Sequence, residues 1–347
     1  MNQMQAADDV SARYHAITAH CRAFAGADTP RSLRVLGANL FLYGGLLWLM
    51  YAALPLSYGL SALLAVPAAF MLVRIFIVQH DCGHGSFFKT RLANKWAGRA
   101  LSLLTWTPYT YWQREHDVHH AFVGQIERQD IGYIDILTAE GYRALPPHKK
   151  FLYRLYRNPL VLLFIGVPLH NIVLMRVPPL SPRRWDARHF LSFKGAWASV
   201  MTHNLCLLVL YGAIFYFFGA AAVFAVYLPV LALAWIIGGW MFYVHHHFEN
   251  AYWQGGDAWH PHEARLLASS HYRLPPIMHW LTGYIGLHHI HHFSSAIPHY
   301  KLQACMDALP ALRDMNPITW RQSLSSVRLA IIDPDRRKMM RLRDIVS

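Results

Sequence analysis

Acidic residues are scarce in this chain. There are 19 Asp and Glu against 32 Lys and Arg, and charged residues of both signs make up only 15% of the total, where an ordinary soluble domain carries about 25%. With 54% apolar residues, the chain has more apolar side chain than a water-facing surface can hide, which excludes a simple soluble domain. Cysteine is scarce too. Cys21, Cys82, Cys206 and Cys305 are widely separated and show no Cys-x-x-Cys spacing, which excludes a disulfide framework, a thiolate zinc site and an iron–sulfur cluster, and suits a reducing compartment. The Glu-x-x-His pairs of soluble di-iron bundles are missing as well. The cations form no separate arm, so no nucleic-acid partner is expected. A net charge of +13 on so apolar a chain points instead to a membrane protein whose basic parts face anionic lipid.

What is present begins with four long apolar runs: Val35–Leu54, Leu60–Val78, Ala196–Phe218 and Ala221–Val244. As helices they measure roughly 28 to 36 Å, against a hydrocarbon core of about 30 Å. Short links join them as two hairpins, through residues 54–59 and through Gly219-Ala220. The fold expected is all-α, a multi-pass bundle of four spanning helices with interfacial helices and a histidine-rich cap. Residues 94–113 and 159–178 are apolar but interrupted, by Pro108 and by Pro168, His170 and Asn171, and are assigned to the interface. The first apolar run follows 34 polar residues, so no cleavable signal peptide is expected. Three regions result: 1–34, a membrane domain over 35–305, and a basic tail over 306–347.

Orientation follows from the cations. Four lie in residues 1–34, sixteen in 79–195 and eleven in 245–347; Arg74 alone lies in a span, and the hairpin tips hold none. The positive-inside rule then puts both termini and the central region in the cytoplasm.

Histidine is abundant, with 23 residues, and twelve of these fall in four clusters. His80 and His84 are spaced i, i+4. His116, His119 and His120 are spaced i, i+3, i+4, and in the cluster His288-His289-Ile290-His291-His292 the residues His288, His291 and His292 repeat that spacing. His245-His246-His247 ends the last span. On a helix, residues three and four apart share a face, so three segments each offer a stripe of imidazoles, all on the face that the cations make cytoplasmic. So many imidazoles gathered without a metal would carry repelling protons or unmet hydrogen bonds. They also exceed the three or four ligands of one zinc, which favours two metal ions. Imidazole alone does not choose among Zn, Cu, Fe and Ni.

These segments resemble the membrane fatty acid desaturases with three histidine boxes, most of all the Δ12/ω-6 type. The matching pieces are His80-Asp81-Cys82-Gly83-His84-Gly85-Ser86-Phe87-Phe88, Arg114-Glu115-His116-Asp117-Val118-His119-His120 and Phe242-Tyr243-Val244-His245-His246-His247-Phe248-Glu249. They continue with Thr282-Gly283-Tyr284-Ile285-Gly286-Leu287-His288-His289-Ile290-His291-His292 and Ile297-Pro298. The likeness runs from about residue 35 to 305. It implies two ferrous ions held by His80, His84, His116, His119, His120, His288, His291 and His292. It adds one histidine from the end of the last span, at the position of His246, where the family's usual flanking glutamines are here His245 and His247.

The resemblance further implies a long acyl chain as substrate, carried by lipid, CoA or a carrier protein. O2 is the co-substrate, and two electrons come from outside. No His-Pro-Gly-Gly of a fused cytochrome b5 is present, so a separate ferredoxin or cytochrome b5 is expected, with Arg336-Arg337-Lys338 as one basic surface for it or for lipid headgroups. The same ligand set would also serve a hydroxylase, acetylenase, conjugase or ketolase. A histidine-rich metal transporter is a more remote alternative. Asp81 and Asp117 each follow a box's first histidine and are placed either for a bond to a ligand ring or for a surface role; Glu249 is placed for the same ring bond or for a surface salt bridge. Cys82 is expected to pack, Arg74 to snorkel, and His203 and Asn204 to face the bundle.

Overall fold

The computed structural model describes residues 3–128, 134–177 and 193–346. Helix α1 (Gln3–Arg22) is followed by a hairpin of α2 (Thr29–Ala53) and α3 (Tyr58–Gly83). Both hairpin helices start on side-chain caps: Asp28 accepts from the Arg31 amide and Ser57 from the Leu60 amide. These caps satisfy amides that no helical carbonyl reaches. The 26 residues of α3 measure about 39 Å, longer than a hydrocarbon core of about 30 Å. Its last turn, with His80 and His84, therefore emerges on one face of the bundle.

Helices α4 (Arg91–Thr105) and α5 (Tyr109–Ala121) follow, separated by Trp106 in the left-handed conformation at φ 56°. The sequence suggested a helix lying flat over 94–113. In the structure the end of α4 is taken in among the spanning helices. Its last carbonyls, which lack helical partners, are met by Tyr211 Oη on Leu103, Tyr227 Oη on Leu104 and Trp235 Nε1 on Thr105. Gly98 makes the α4–α5 approach possible, since a Cβ there would lie 2.3 Å from the Tyr109 ring.

The run α6 (Pro159–Arg176) is apolar and long enough to cross a membrane by length and composition, where the sequence suggested an interfacial helix. Pro159 opens the run, where a missing N–H costs nothing; Pro168 lies inside it, directly after a π-helical turn at Leu162–Gly166, an irregularity that lets the helix continue past the proline. Helix α7 (Phe193–Ala221) and helix α8 (Leu228–His246) complete the apolar set, with Lys194–His246 forming one 53-residue stretch. The run breaks at Gly219, whose φ of 79° suits glycine. The break falls at the link expected between the third and fourth spans. The helices turn large apolar side chains outward, among them Phe41, Trp48, Leu208, Phe217 and Phe224, a surface that requires lipid around it. This is the all-α membrane bundle expected from the sequence.

The cap is built from α9 (Pro276–Leu281), α10 (His288–Phe293), α11 (His299–Ala308) and short strands. Strand β4 (Leu329–Asp333) pairs in parallel with β1 (Leu137–Thr138) and antiparallel with β5 (Lys338–Arg341). Strand β2 (His271–Arg273) pairs in parallel with β3 (Pro317–Thr319). The residues after 306 are thus joined by backbone hydrogen bonds to the central region. Buried Arg157 ties this sheet to the end of α8, donating to Tyr243 Oη at 2.6 Å and to the Leu329 carbonyl at 2.9 Å.

Candidate metal centre

Four helix ends deliver the histidines. His80 and His84 come from the end of α3, His116, His119 and His120 from α5, His246 from the end of α8, and His288, His291 and His292 from α10. The loop before α10 is pressed onto α3 by Gly283, at φ 60°, where a Cβ would meet Ile77 at 3.1 Å.

The nine side chains form two clusters. His80, His84, His116, His120 and His291 make one; His119, His246, His288 and His292 make the other. Within each, one nitrogen per ring lies within 4.8 Å of all the others. The helical spacing explains the division. On α5, His116 and His120 serve the first cluster, and His119, turned by about 100°, serves the second. On α10, His291 serves the first, and His288 and His292 the second. Each His-x-x-His-His box therefore spans both clusters and holds them side by side, with the rings of His120 and His292 stacked at 4.3 Å.

The inner nitrogens approach closely. In the first cluster His116 Nε2 lies 2.9 Å from His80 Nε2 and 3.1 Å from His120 Nε2, and His291 Nε2 lies 2.9 Å from His120 Nε2. In the second, His288 Nε2 lies 3.0 Å from His246 Nε2 and 3.1 Å from His292 Nε2. Burial, and then mutual repulsion among the imidazoles, holds His116, His119, His120, His291 and His292 well below the ordinary histidine pKa. His288 is held low by burial and by His245. Neutral imidazoles present lone pairs inward, the form that binds a metal.

The three neighbours at the end of α8 differ. His246 turns inward; its Nδ1 donates to the Ala268 carbonyl at 2.9 Å, which fixes the tautomer and leaves Nε2 bare. His245 stacks on the His288 ring at 4.2 Å, and His247 stacks on Tyr243 at 4.2 Å with Nδ1 on the Tyr243 carbonyl. His289 turns away to the Leu312 carbonyl.

The carboxylates also divide. Asp81 Oδ1 lies 3.4 Å from His80 Nδ1. Asp117 pairs instead with Arg114 on the surface, and Glu249 with Lys338. Cys82 packs in the apolar core. Arg74 does not snorkel: it is buried, its Nε donates to Asn39 Oδ1 at 2.9 Å, and its guanidinium lies 4.3 Å from the Trp280 ring centre. His203 and Asn204 face the bundle, where both accept hydrogen bonds from Arg176. Arg336, Arg337 and Lys338 each carry an acidic partner, Asp333, Glu263 and Glu249. The sequence reading gives no role to Arg157, and reads His299, which stands where the resembling family has Asn, as incidental or as reshaping the substrate entrance; in the structure it meets Asp81. An isolated Arg or His outside the boxes carries no spacing signal; their partners lie far along the chain.

Fold and site define a multi-pass membrane protein with two adjoining histidine clusters, each able to hold a metal ion. Residues 54–323 match the family described as fatty acid desaturase. A fatty acid desaturase of Bacillus subtilis is 34% identical over 95% of this chain and 91% of its own length. The sn-1 acyl-lipid omega-3 desaturase (ferredoxin) of Synechocystis sp. is 30% identical over 68% of this chain and 63% of its own length. The sn-1 oleoyl-lipid 12-desaturase of the same organism is 25% identical over 80% of this chain and 74% of its own. The chain belongs to the fatty acid desaturase family, oxidoreductases that act on acyl lipids.

Proposed function

We propose that this protein introduces a cis double bond into a long acyl chain, using O2, two external electrons and a pair of iron ions. His80, His84, His116, His120 and His291 hold one ion; His119, His246, His288 and His292 hold the other. The observation that carries this reading is the convergence of nine imidazoles in two adjoining clusters, with nitrogens close enough to share an ion within each. The five nitrogen pairs lie at 2.9 to 3.1 Å. Five imidazoles in one cluster and four in the other are more than the three or four ligands of a single zinc, which supports a pair of ions. An orphaned nitrogen supports the same reading: His84 Nε2 is buried without a hydrogen-bond partner, a cost that a bound ion would offset.

The bound irons supply the redox chemistry, reduction of O2 coupled to removal of two hydrogens from an unactivated CH2–CH2 unit, which side chains cannot perform. The balance is one saturated chain, O2, two electrons and two protons in, one alkene and two waters out. The chain's own part is to hold and orient. Ala268 and Asp81 fix two ligand tautomers. Burial favours the neutral form of the imidazoles on α5 and α10. Trp112 and Phe242, packed against His116 and His119 at 5.0 and 5.5 Å, present an apolar wall fit for a hydrocarbon.

The cation distribution supports an active site and termini on the cytoplasmic side. The Synechocystis omega-3 relative carries ferredoxin in its name, and a ferredoxin or cytochrome b5 is the expected donor here. The test is gas chromatography–mass spectrometry of fatty acid methyl esters from a host expressing the chain. New unsaturated species, absent with His291→Ala, are expected; hydroxylated products in their place would move the reading to a sibling chemistry.

A further inference from the structure

We infer that Asp81 and His299 form a positioning pair that sets the tautomer and ring orientation of His80, and through it the geometry of the five-histidine cluster. The inference rests on the reading of His80 as a ligand. Asp81 follows His80 at the end of α3 and is 2% exposed. Its Oδ2 accepts twice from one residue: from the His299 amide at 2.8 Å and from His299 Nδ1 at 2.7 Å. Its Oδ1 is left for His80 Nδ1, at 3.4 Å. The two residues lie 218 positions apart, so the start of α11 is docked onto the end of α3 through this carboxylate.

The pattern dictates a tautomer. His80 Nε2 faces His116 Nε2 at 2.9 Å inside the cluster. Its Nδ1 faces a carboxylate, which only accepts. The proton therefore belongs on Nδ1 and the lone pair on Nε2, inward. A carboxylate behind a ligand imidazole raises the basicity of that ligand and holds the ring in plane. His299 prevents Asp81 from turning away, since two hydrogen bonds pin Oδ2 and the ring itself lies parallel to Phe87.

A packing role alone does not account for the choice of residues. Burying a carboxylate is costly unless it is paired, and among the described residues the ion-pair partners of Asp81 are two histidines, His80 and His299. A neutral side chain would join α3 to α11 without that cost. A negative charge placed behind one cluster gains its value when cations occupy that cluster. The other outer contacts differ: His246 is backed by a neutral carbonyl, and Asp117 is paired with Arg114. The two clusters are thereby made unequal.

The test uses purified, iron-loaded full-length protein, with wild type, His299→Ala and His299→Asn compared. Asparagine retains an N–H that can reach the carboxylate. The readouts are the rate of iron loss to a chelator, the Mössbauer spectrum and the thermal midpoint. His299→Ala is expected to release one of its two irons about tenfold to a hundredfold faster than wild type and to shift one of two Mössbauer doublets. His299→Asn is expected to remain near wild type in both. Unchanged release and spectrum in His299→Ala overturn the inference. So does equal loss of both irons in both variants with a lowered thermal midpoint, which would assign the pair to helix docking. Wild-type protein that takes up no iron overturns the ligand reading, and this inference with it.

Discussion

Replacing His246 by alanine separates a ligand role from a packing role at the end of α8. The residue is 1% exposed, with Nε2 at 3.0 Å from His288 Nε2 and Nδ1 on the Ala268 carbonyl. Alanine removes one nitrogen of the four in the second cluster and leaves a cavity. The cavity is expected to cost about 2–5 kcal/mol, as for other large buried side chains cut to alanine, and this appears in metal-free and metal-loaded protein alike. The lost nitrogen acts only on the loaded form. Loss of an outer-sphere partner weakens metal binding by about 10- to 100-fold, and loss of a direct ligand is expected to exceed that, taking iron from two per chain toward one. His245→Gln and His247→Gln are the controls. Their rings stack on His288 and Tyr243 outside the nitrogen clusters, so both variants should keep two irons and most of their product. Iron per chain by plasma mass spectrometry, with product by gas chromatography, reads all three. Full iron in His246→Ala, or its loss in His245→Gln, would refute the assignment.

Three further outcomes are expected. The clustered histidines outside the spans have depressed folded pKa values, so they stay neutral when folded while the unfolded chain takes up protons below about pH 6.5. Stability is therefore complete above that pH and lost as pH falls, by about 1.4 kcal/mol per pH unit for each such proton; a metal-free thermal midpoint that is flat from pH 7.5 to 5.5 would contradict this. Gly98→Ala places a Cβ 2.3 Å from the Tyr109 ring at the start of the helix that carries three ligands; overpacking of about 1–3 kcal/mol, with partial loss of iron, should follow in thermal melts and metal analysis. Cysteines placed at Gly59 and Ala220 in a cysteine-free background should react only with reagent on the non-cytoplasmic side, and labelling from the cytoplasm would overturn the orientation.

The spans and the histidine sets were legible because both are local patterns. Apolar runs declare themselves by length, and i, i+3, i+4 spacing declares a helical face. What was not legible is long-range. Asp81 and Asp117 stand in the same place relative to their boxes, yet one meets His299 far along the chain and the other meets Arg114 one turn back. Nothing in the local sequence separates them. Arg74 looked free to snorkel because Asn39 and Trp280, which hold it, come from other elements. Pro168 of α6 read as an interruption, and only the structure shows the π-helical turn before it that lets the helix continue. The strands after residue 316 are three to five residues long, too short for an alternation signal, and exist through pairing with β1, with β2 and, for β4 and β5, with each other.

The central claim is that the two histidine clusters hold irons that together desaturate an acyl chain. The most direct test is a single turnover. Iron-loaded protein is reduced without oxygen, freed of reductant, mixed with acyl lipid and exposed to O2, and the product is counted by gas chromatography–mass spectrometry. The account predicts up to one new double bond per chain carrying two irons, and none with His116→Ala. Protein that holds two irons and returns the acyl chain unchanged, or returns it hydroxylated, would contradict it.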